Sequence, residues 1–226
     1  MSVSYGSSVA SSGMTVCIDP ANIKSYPGSG TTLFDVTRNG NNGTIQTGAS
    51  YSSGYVSLDG STGYILLGPI AGIGIATSSF TMGIWVYPTG ASGNIVSMSS
   101  TNPTGSWNEP PIRATGQQFQ GHIYPNTYLT YNYNLNTWYY LTLVFDYAAG
   151  AQYFYVNGVL AGSTTGITYS SSGLSNYLFL GQANPGANNT GMFPGRIGLF
   201  QVYGLKALTA AEVLQNFNAV RGRYGV

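Results

Sequence analysis

Short stretches of the chain alternate apolar and polar residues with a period of two, and each is closed by a cluster of Gly, Pro, Asn or Ser. That is the pattern of strands and turns. In SFTMGIWVYP, Phe80, Met82, Ile84 and Val86 share one face and Thr81, Gly83, Trp85 and Tyr87 the other, before Pro88 ends the run. In TWYYLTLVFD, residues 137–146, Tyr139, Leu141, Leu143 and Phe145 face one way and Trp138, Tyr140, Thr142 and Val144 the other. Both faces are largely apolar, which places this strand in the middle of a sheet. AQYFYVNGVLAG predicts a hairpin turning at Asn157-Gly158, because a two-residue type I′ turn requires positive φ at both central positions. Further strands are expected at 14–18, 43–46, 55–58, 63–67, 93–98, 118–123, 127–131, 177–180 and 195–203, with long loops at 99–112 and 182–194. So many short strands imply two packed sheets.

Helical periodicity occurs once, near the end, in LTAAEVLQNFNAVRG. Thr209 and Glu212 form a capping box, with Leu208 and Val213 placed as its hydrophobic staple. Val213, Leu214, Phe217 and Val220 then recur at helical spacing, and Gly222 is the expected stop. Asp59-Gly60 and Asn41-Asn42-Gly43 carry turn chemistry ahead of or between strands.

Composition narrows the picture. A chain of 226 residues suits a single all-β domain, and 19 Tyr, 9 Phe and 3 Trp supply the aromatic area for its core. Only 6% of residues are charged, against a usual share of about 25%, so Ser, Thr, Asn, Gln, Gly and Tyr must make the surface polar. The seven Lys and Arg are scattered and the net charge is +1, which leaves no footprint for nucleic acid. No run approaches the ~18 apolar residues of a membrane span, and MSVSYGSSVASSG lacks the basic and apolar regions of a signal peptide, so synthesis in a cytoplasm is expected. Cys17, alone between apolar neighbours, is expected to be a buried small residue. Residues 1–12 are polar and are expected to be an arm or frayed segment, with the folded domain at 13–226, so that deleting them leaves folding nearly intact.

Five ordered segments resemble the laminin G-like branch of the concanavalin A-like lectin and glucanase fold. They are CIDPANIKSYPGSGTTLFDVTRNGNNGTI, YVSLDGSTGYI, FTMGIWVYPTG, NTWYYLTLVFD with YFYVNGVLAG, and FLGQANPG with GRIGLFQVYGLKALTAAEVLQNFNAVRGRYG. The resemblance implies an all-β, two-sheet antiparallel jelly-roll sandwich with one short C-terminal helix. The opening segment and the ending LTAAEVLQNFNAVRGRYG look most like the version found in structural proteins of tailed phages, marine myovirus-like ones in particular. That likeness implies a virion protein made in the host cytoplasm and displayed on the virion surface as a capsid decoration, head fibre or tail-associated protein. Its partners would be other virion proteins, copies of itself in an oligomer or array, and host surface glycans. A soluble or cell-surface carbohydrate-binding module is the alternative.

Catalysis is not expected. The glucanases of this fold carry Glu-x-Asp-x-x-Glu on one strand, whereas the only glutamates here are Glu109, in a Pro-flanked loop, and Glu212, at a helix start. His122 is unique, no Gly-x-Ser-x-Gly precedes a helix, and one His with one Cys cannot build a zinc site. His122 is expected to be a hydrogen-bonded structural histidine on a strand. Calcium is the one cofactor the resemblance implies, held at the sandwich rim through carboxylates, for which Asp19, Asp59 and Asp146 are the candidates; Gly198 stands where relatives carry an acidic residue. For carbohydrate, NPTGSWNEPPIR offers Trp107, Asn108 and Arg113, and YPNTYLTYNYN offers Tyr124, Asn126, Tyr128, Tyr131, Asn132 and Tyr133. The alternation in the second segment equally fits a strand with one buried tyrosine face.

Overall fold

The doubly apolar runs become central strands with both faces covered, and the rest of the fold is arranged around them. The computed structural model describes residues 8–70, 78–99, 108–123, 126–167, 177–182 and 191–226. In chain order its elements are β1 (Met14–Ile18), β2 (Thr32–Leu33), β3 (Gly43–Ile45), β4 (Ala49–Ser52), β5 (Tyr55–Asp59), β6 (Ile65–Leu67), β7 (Phe80–Pro88) and β8 (Gly93–Ser99). They continue with β9 (Asn108–Thr115), β10 (Gln118–Gly121), β11 (Leu129–Asn132), β12 (Tyr139–Asp146), β13 (Ala151–Val156), β14 (Val159–Thr165), β15 (Tyr177–Leu180), β16 (Pro194–Gly204) and α1 (Ala210–Tyr224). The strands pair antiparallel in two sheets. The first runs β14-β13-β12-β7-β16-β5-β4, with β1 also on β16; the second runs β11-β10-β9-β8-β15-β6-β3-β2. This is the expected sandwich with its single helix.

The main core fills the space between the sheets. Phe80, Met82, Ile84 and Val86 of β7 and Tyr139, Leu141, Leu143 and Phe145 of β12 meet Ile112, Phe119, Leu178 and Leu180 of the second sheet. A second layer lies on the outer face of the first sheet, where α1 covers the opposite residues of the same strands. Val144, Tyr155 and Tyr203 pack with Leu208 and Val213, and Trp85, Tyr140 and Leu199 pack with Phe217 and Tyr224. The rings of Tyr140, Phe217 and Tyr224 lie within 5.7 Å of Trp85, centroid to centroid, in stacked arrangements. Fully burying a side chain of this size is worth about 1.5–3 kcal/mol.

Local signals hold where they can be satisfied locally. Asn157 and Gly158 both have positive φ, and Val156 pairs with Val159 across the turn. Thr209 caps α1 reciprocally with Glu212. Tertiary packing overrides them elsewhere. α1 does not stop at Gly222 but continues to Tyr224, and Gly225 is its left-handed cap, because Tyr224 must reach the Trp85 stack and accept a hydrogen bond from the Leu199 N–H at 2.9 Å. Gly198 makes this fit, since a side chain there would strike the Tyr224 ring. Leu214, expected on the apolar face, is 44% exposed on the helix flank. The expected loop 99–112 gives way to β9 from Asn108 onward, the expected strand 118–123 ends at Gly121, and β2 and β4 add pairings not expected from the pattern. Of the loop expected at 182–194, residues 183–190 lie outside the described residues.

Residues 8–12 are anchored rather than frayed. Ala10 is buried; its N–H donates to Asn216 Oδ1 at 2.7 Å and its carbonyl accepts from the Tyr203 hydroxyl at 2.8 Å. Asn216 Nδ2 donates to the same hydroxyl at 2.8 Å, which closes the triangle. Deleting residues 1–12 should therefore lower Tm instead of leaving it unchanged. Asn216→Ala should reproduce much of the loss, since stranding the buried Ala10 N–H costs about 1–3 kcal/mol, or about 2–12 °C for a chain of this size. Thermal unfolding followed by circular dichroism reads both; an unaltered Tm in both variants would show that residues 8–12 add nothing to the fold.

Candidate functional site

The outer face of β9, β10 and β11 is the polar counterpart of the core face beneath it. Ile112, Ala114, Phe119 and Leu129 turn inward, so the residues between them turn outward. Register then assembles two rows. Asn94, Arg113, Gln120 and Thr130 stand side by side across β8, β9, β10 and β11, and Thr115, Gln118 and Asn132 form the next row. Hydrogen bonds run through both rows: Arg113 Nε donates to Gln120 Oε1 at 2.8 Å, Gln120 Nε2 to Gln118 Oε1 at 3.5 Å, and Gln118 Nε2 to Asn132 Oδ1 at 3.2 Å. Each amide thus has a fixed orientation, with exposed capacity left over, and Asn132 and Thr130 are exposed. A shallow cleft of about 270 Å³, lined by Ser92, Asn94, Arg113 and Thr115 among others, opens at the β8 end.

An aromatic element borders the rows. Tyr128, 38% exposed, holds the Arg113 guanidinium 4.2 Å from its ring centroid, and the His122 ring lies 4.1 Å from it. The segment leading to Tyr128 is pinned from the first sheet. The buried Gln152 accepts from the Ile123 N–H and donates to the Thr127 carbonyl, both at 2.8 Å. Gly121 allows the approach, since a Cβ there would press on Phe154. His122 is only 3% exposed, lies just past β10, and its Nδ1 has no hydrogen-bond partner. This corrects the expectation of a hydrogen-bonded strand residue. Burial first, and the Arg113 charge second, lower its pKa to about 4, so at neutral pH it is an uncharged platform beneath Tyr128.

Of the residues expected to bind carbohydrate, the structure brings Arg113, Tyr128 and Asn132 to one face. Asn126 sits nearby and its Nδ2 donates to the Ile123 carbonyl at 2.7 Å. Trp107 and Tyr124 lie outside the described residues, as does the side chain of Asn108 at the start of β9. The alternative left open for YPNTYLTYNYN is resolved in part: Leu129 and Tyr133 are buried, Tyr133 stacking on Phe119 at 4.0 Å, while Tyr131 is exposed at the edge. Gln118, Gln120 and Asn94 were not anticipated. Their signal was the alternation in QFQGH, visible only once β9 and β11 flank it.

The three carboxylates considered for calcium do not converge. Asp19 accepts from Arg223 at 2.6 Å. Asp59 accepts from the backbone N–H groups of Ser61, Thr62 and Gly63 and from the Ser61 and Thr62 hydroxyls, which hold its carboxyl well below the usual range. Asp146 caps the turn at Ala149. Among the described residues no three His, Cys, Asp or Glu side chains gather where an ion could sit. Each of the three already accepts a hydrogen bond or ion pair within the fold, and they do not come together as one site. Glu212 is likewise engaged by Thr209 and Lys206. Cys17 is buried, and burial followed by the charges of Asp19 and Asp35 pushes its thiol up to about 12, so it is no nucleophile.

A family model described as "Concanavalin A-like lectin/glucanases superfamily" matches residues 59–214. No match appears among curated proteins. Among solved structures, a Trypanosoma rangeli sialidase in complex with sialic acid superposes with TM-score 0.70 at 13% identity, covering 98% of this chain and 35% of the sialidase. The same sialidase with the inhibitor DANA gives 0.68 at 15%, covering 93% and 33%. The botulinum neurotoxin serotype G binding domain gives 0.65 at 17%, covering 90% and 50%. The chain thus spans about a third of the sialidase and half of the neurotoxin binding domain, and at these identities the likeness is one of fold.

Two outcomes follow from the buried groups. Between pH 6.5 and about 4 the unfolded chain takes up a proton at His122 that the folded chain refuses, so stability should fall as pH falls through this window and level off below it. His122→Gln should flatten that part of a Tm-against-pH curve, and an identical slope in the variant would refute the assignment. Adding calcium or a chelator should leave Tm unchanged; a rise of several degrees with calcium would reveal a site elsewhere in the chain.

Proposed function

The chain belongs to the concanavalin A-like lectin/glucanases superfamily, and from that premise we propose that it is a non-catalytic, lectin-like binding and display module whose sugar-binding face is the outer surface of β9, β10 and β11. The observation that carries this is the oriented series Arg113, Gln120, Gln118 and Asn132 beside the Tyr128 ring. Sugars present adjacent hydroxyls, each both donor and acceptor, next to patches of C–H. Amides whose orientation is already fixed lose little entropy on meeting such a ligand, and a half-exposed tyrosine supplies the apolar contact. No charge is required beyond one guanidinium, which suits a surface with 6% charged residues.

Within this proposal the module is a virion component, a capsid decoration, head fibre or tail-associated protein. The support is the resemblance of its first and last segments to tailed-phage structural proteins, together with a charge-poor, Gly-rich surface suited to close packing in a symmetric array. An array would also offset weak single sites through avidity.

A multimerised form on a glycan array should bind a subset of glycans. Tyr128→Ala and Arg113→Gln should each weaken that binding about tenfold or more, as expected for central contacts, with particle incorporation unaltered. Loss of incorporation with glycan binding intact would make this face an assembly contact, and complete silence of the multimerised wild type would remove the lectin reading. Mass spectrometry of particles encoding the chain tests the virion assignment directly; its absence there would leave a soluble or cell-surface binding module.

A further inference from the structure

α1 covers only part of the outer face of the first sheet, and what remains uncovered beyond its C-terminal end is not neutral polar surface. Register places Ser57, Arg196 and Tyr87 side by side across β5, β16 and β7, and the pairing of Tyr139 with Val86 sets Trp138, the residue before β12, beside Tyr87. The Arg196 guanidinium lies 4.8 Å from the Tyr55 ring centroid and 4.5 Å from that of Tyr87. Trp138 stands 5.9 Å from Tyr55 and 5.5 Å from Tyr87, and 4.6 Å from Tyr224 at the end of the helix. Tyr55, Tyr87, Trp138 and Arg196 are all partly exposed. Beside them a cleft of about 150 Å³ is lined by Tyr55, Trp138, Tyr224, Arg223 and Gly54 among others.

Two features set this patch apart from packing. Among the described residues, the Arg196 side chain has ring contacts but no hydrogen-bond or ion-pair partner, so its five N–H donors are held in place by the tyrosines without an acceptor. Asp19 is already paired with Arg223, which lines the cleft, and is largely buried, and Asp59, two residues along β5 from Ser57, accepts from its own turn. The planes of Tyr55 and Trp138 meet at 62°, so they form a wedge rather than a parallel slot. A puckered pyranose, with C–H bonds on both faces, can touch both walls of such a wedge, whereas a flat ring can stack on only one.

We propose that Arg196, with Trp138, Tyr55 and Tyr87, forms a second ligand site that takes an anionic sugar residue, its pyranose ring against Trp138 and Tyr55 and its carboxylate or sulfate on the Arg196 guanidinium. A planar guanidinium matches either anion with paired hydrogen bonds. The site lies on the opposite sheet from the β9–β11 face and does not depend on it.

The test is a titration of the full chain with methyl β-D-glucuronide, glucose 6-sulfate and the neutral methyl β-D-glucoside, followed by the Trp138 indole N–H resonance, which Trp138→Phe identifies. The two anionic probes should shift that resonance saturably with Kd in the low millimolar range, and the neutral glucoside should bind about tenfold or more weakly. The tighter of the two anions identifies the acid involved. Arg196→Gln should weaken glucuronide binding about tenfold or more, while Tyr128→Ala should leave it unchanged. Should Arg196→Gln fail to fold, Arg196→Lys takes its place, keeping the charge and losing the planar fork, with the same expected direction. Raising salt should weaken the wild-type interaction. Equal binding of the neutral glucoside, undiminished binding by the Arg196 variants, or no saturable shift with either anion would overturn the proposal. Loss in Tyr128→Ala alone would move the anion to the other face.

Discussion

Strands β7, β12 and β16 are apolar on both faces, and no arrangement of two sheets alone can bury them. The sandwich covers one face; the other must be covered from outside, and α1 does this. At 15 residues the helix is only about 22 Å long, so its placement matters. Two contacts fix it: the stack of Phe217 and Tyr224 on Trp85 and Tyr140, and a buried polar chain that meets the helix at Asn216. In that chain the Tyr140 hydroxyl donates to Gln201, whose Nε2 donates to Tyr203, which is shared in turn by Asn216 and Ala10. Stacking resists lifting of the helix and the polar chain resists sliding, because a displaced helix would leave buried donors and acceptors unmet.

The same constraint dictates smaller features. Gly83 must lack a side chain because the Tyr140 hydroxyl occupies that space, and Gly198 must lack one because of Tyr224. Tyr140 is wholly buried, so its hydroxyl is raised in pKa by desolvation and stays protonated as a donor. The register of β12 on β7 is equally constrained. A slip of one residue would turn Trp138, Tyr140 and Val144 into the intersheet core and bring Tyr139 and Leu141 out under the helix. The two surfaces proposed to bind ligands are what is left when this cover is complete: the polar outer face of β9–β11, and the margin of the first sheet beyond the end of α1.

How much of this was legible in sequence depends on the range over which each signal is satisfied. The faces of β7 and β12, the Asn157-Gly158 turn and the Thr209–Glu212 capping box were legible because two to ten neighbouring residues decide them. Gly222 misled because the helix end is decided by Tyr224 meeting Trp85, 139 positions earlier in the chain. Ala10 was illegible for the same reason, its partners being Tyr203 and Asn216. At the candidate site, Arg113, Tyr128 and Asn132 stood out as residue types, whereas Gln118 and Gln120 resembled ordinary strand surface. What joins the glutamines to Arg113 and Asn132 is alignment with β9 and β11, which no local pattern encodes. Tyr55, Tyr87, Trp138 and Arg196 are the extreme case: four strand-end residues separated by many tens of positions, joined only by register.

A surface with few charges changes what each remaining charge does. In a chain with 6% charged residues and a net charge of +1, an arginine has few carboxylates within a screening length, so its partners are rings and amides. Arg113 takes one of each, Tyr128 and Gln120, and Arg196 takes two rings. Rings hold a guanidinium in orientation without neutralising it, so the charge stays available to a ligand in a way that an ion pair such as Arg223 with Asp19 does not allow. Without a surrounding basic field there is also little long-range attraction, and recognition falls to short-range stacking and hydrogen bonds, which discriminate by shape but hold each ligand weakly. On the proposed reading, a module built in this way would gain affinity by repetition, so the physics of its surface and the proposal of its display in many copies share one argument.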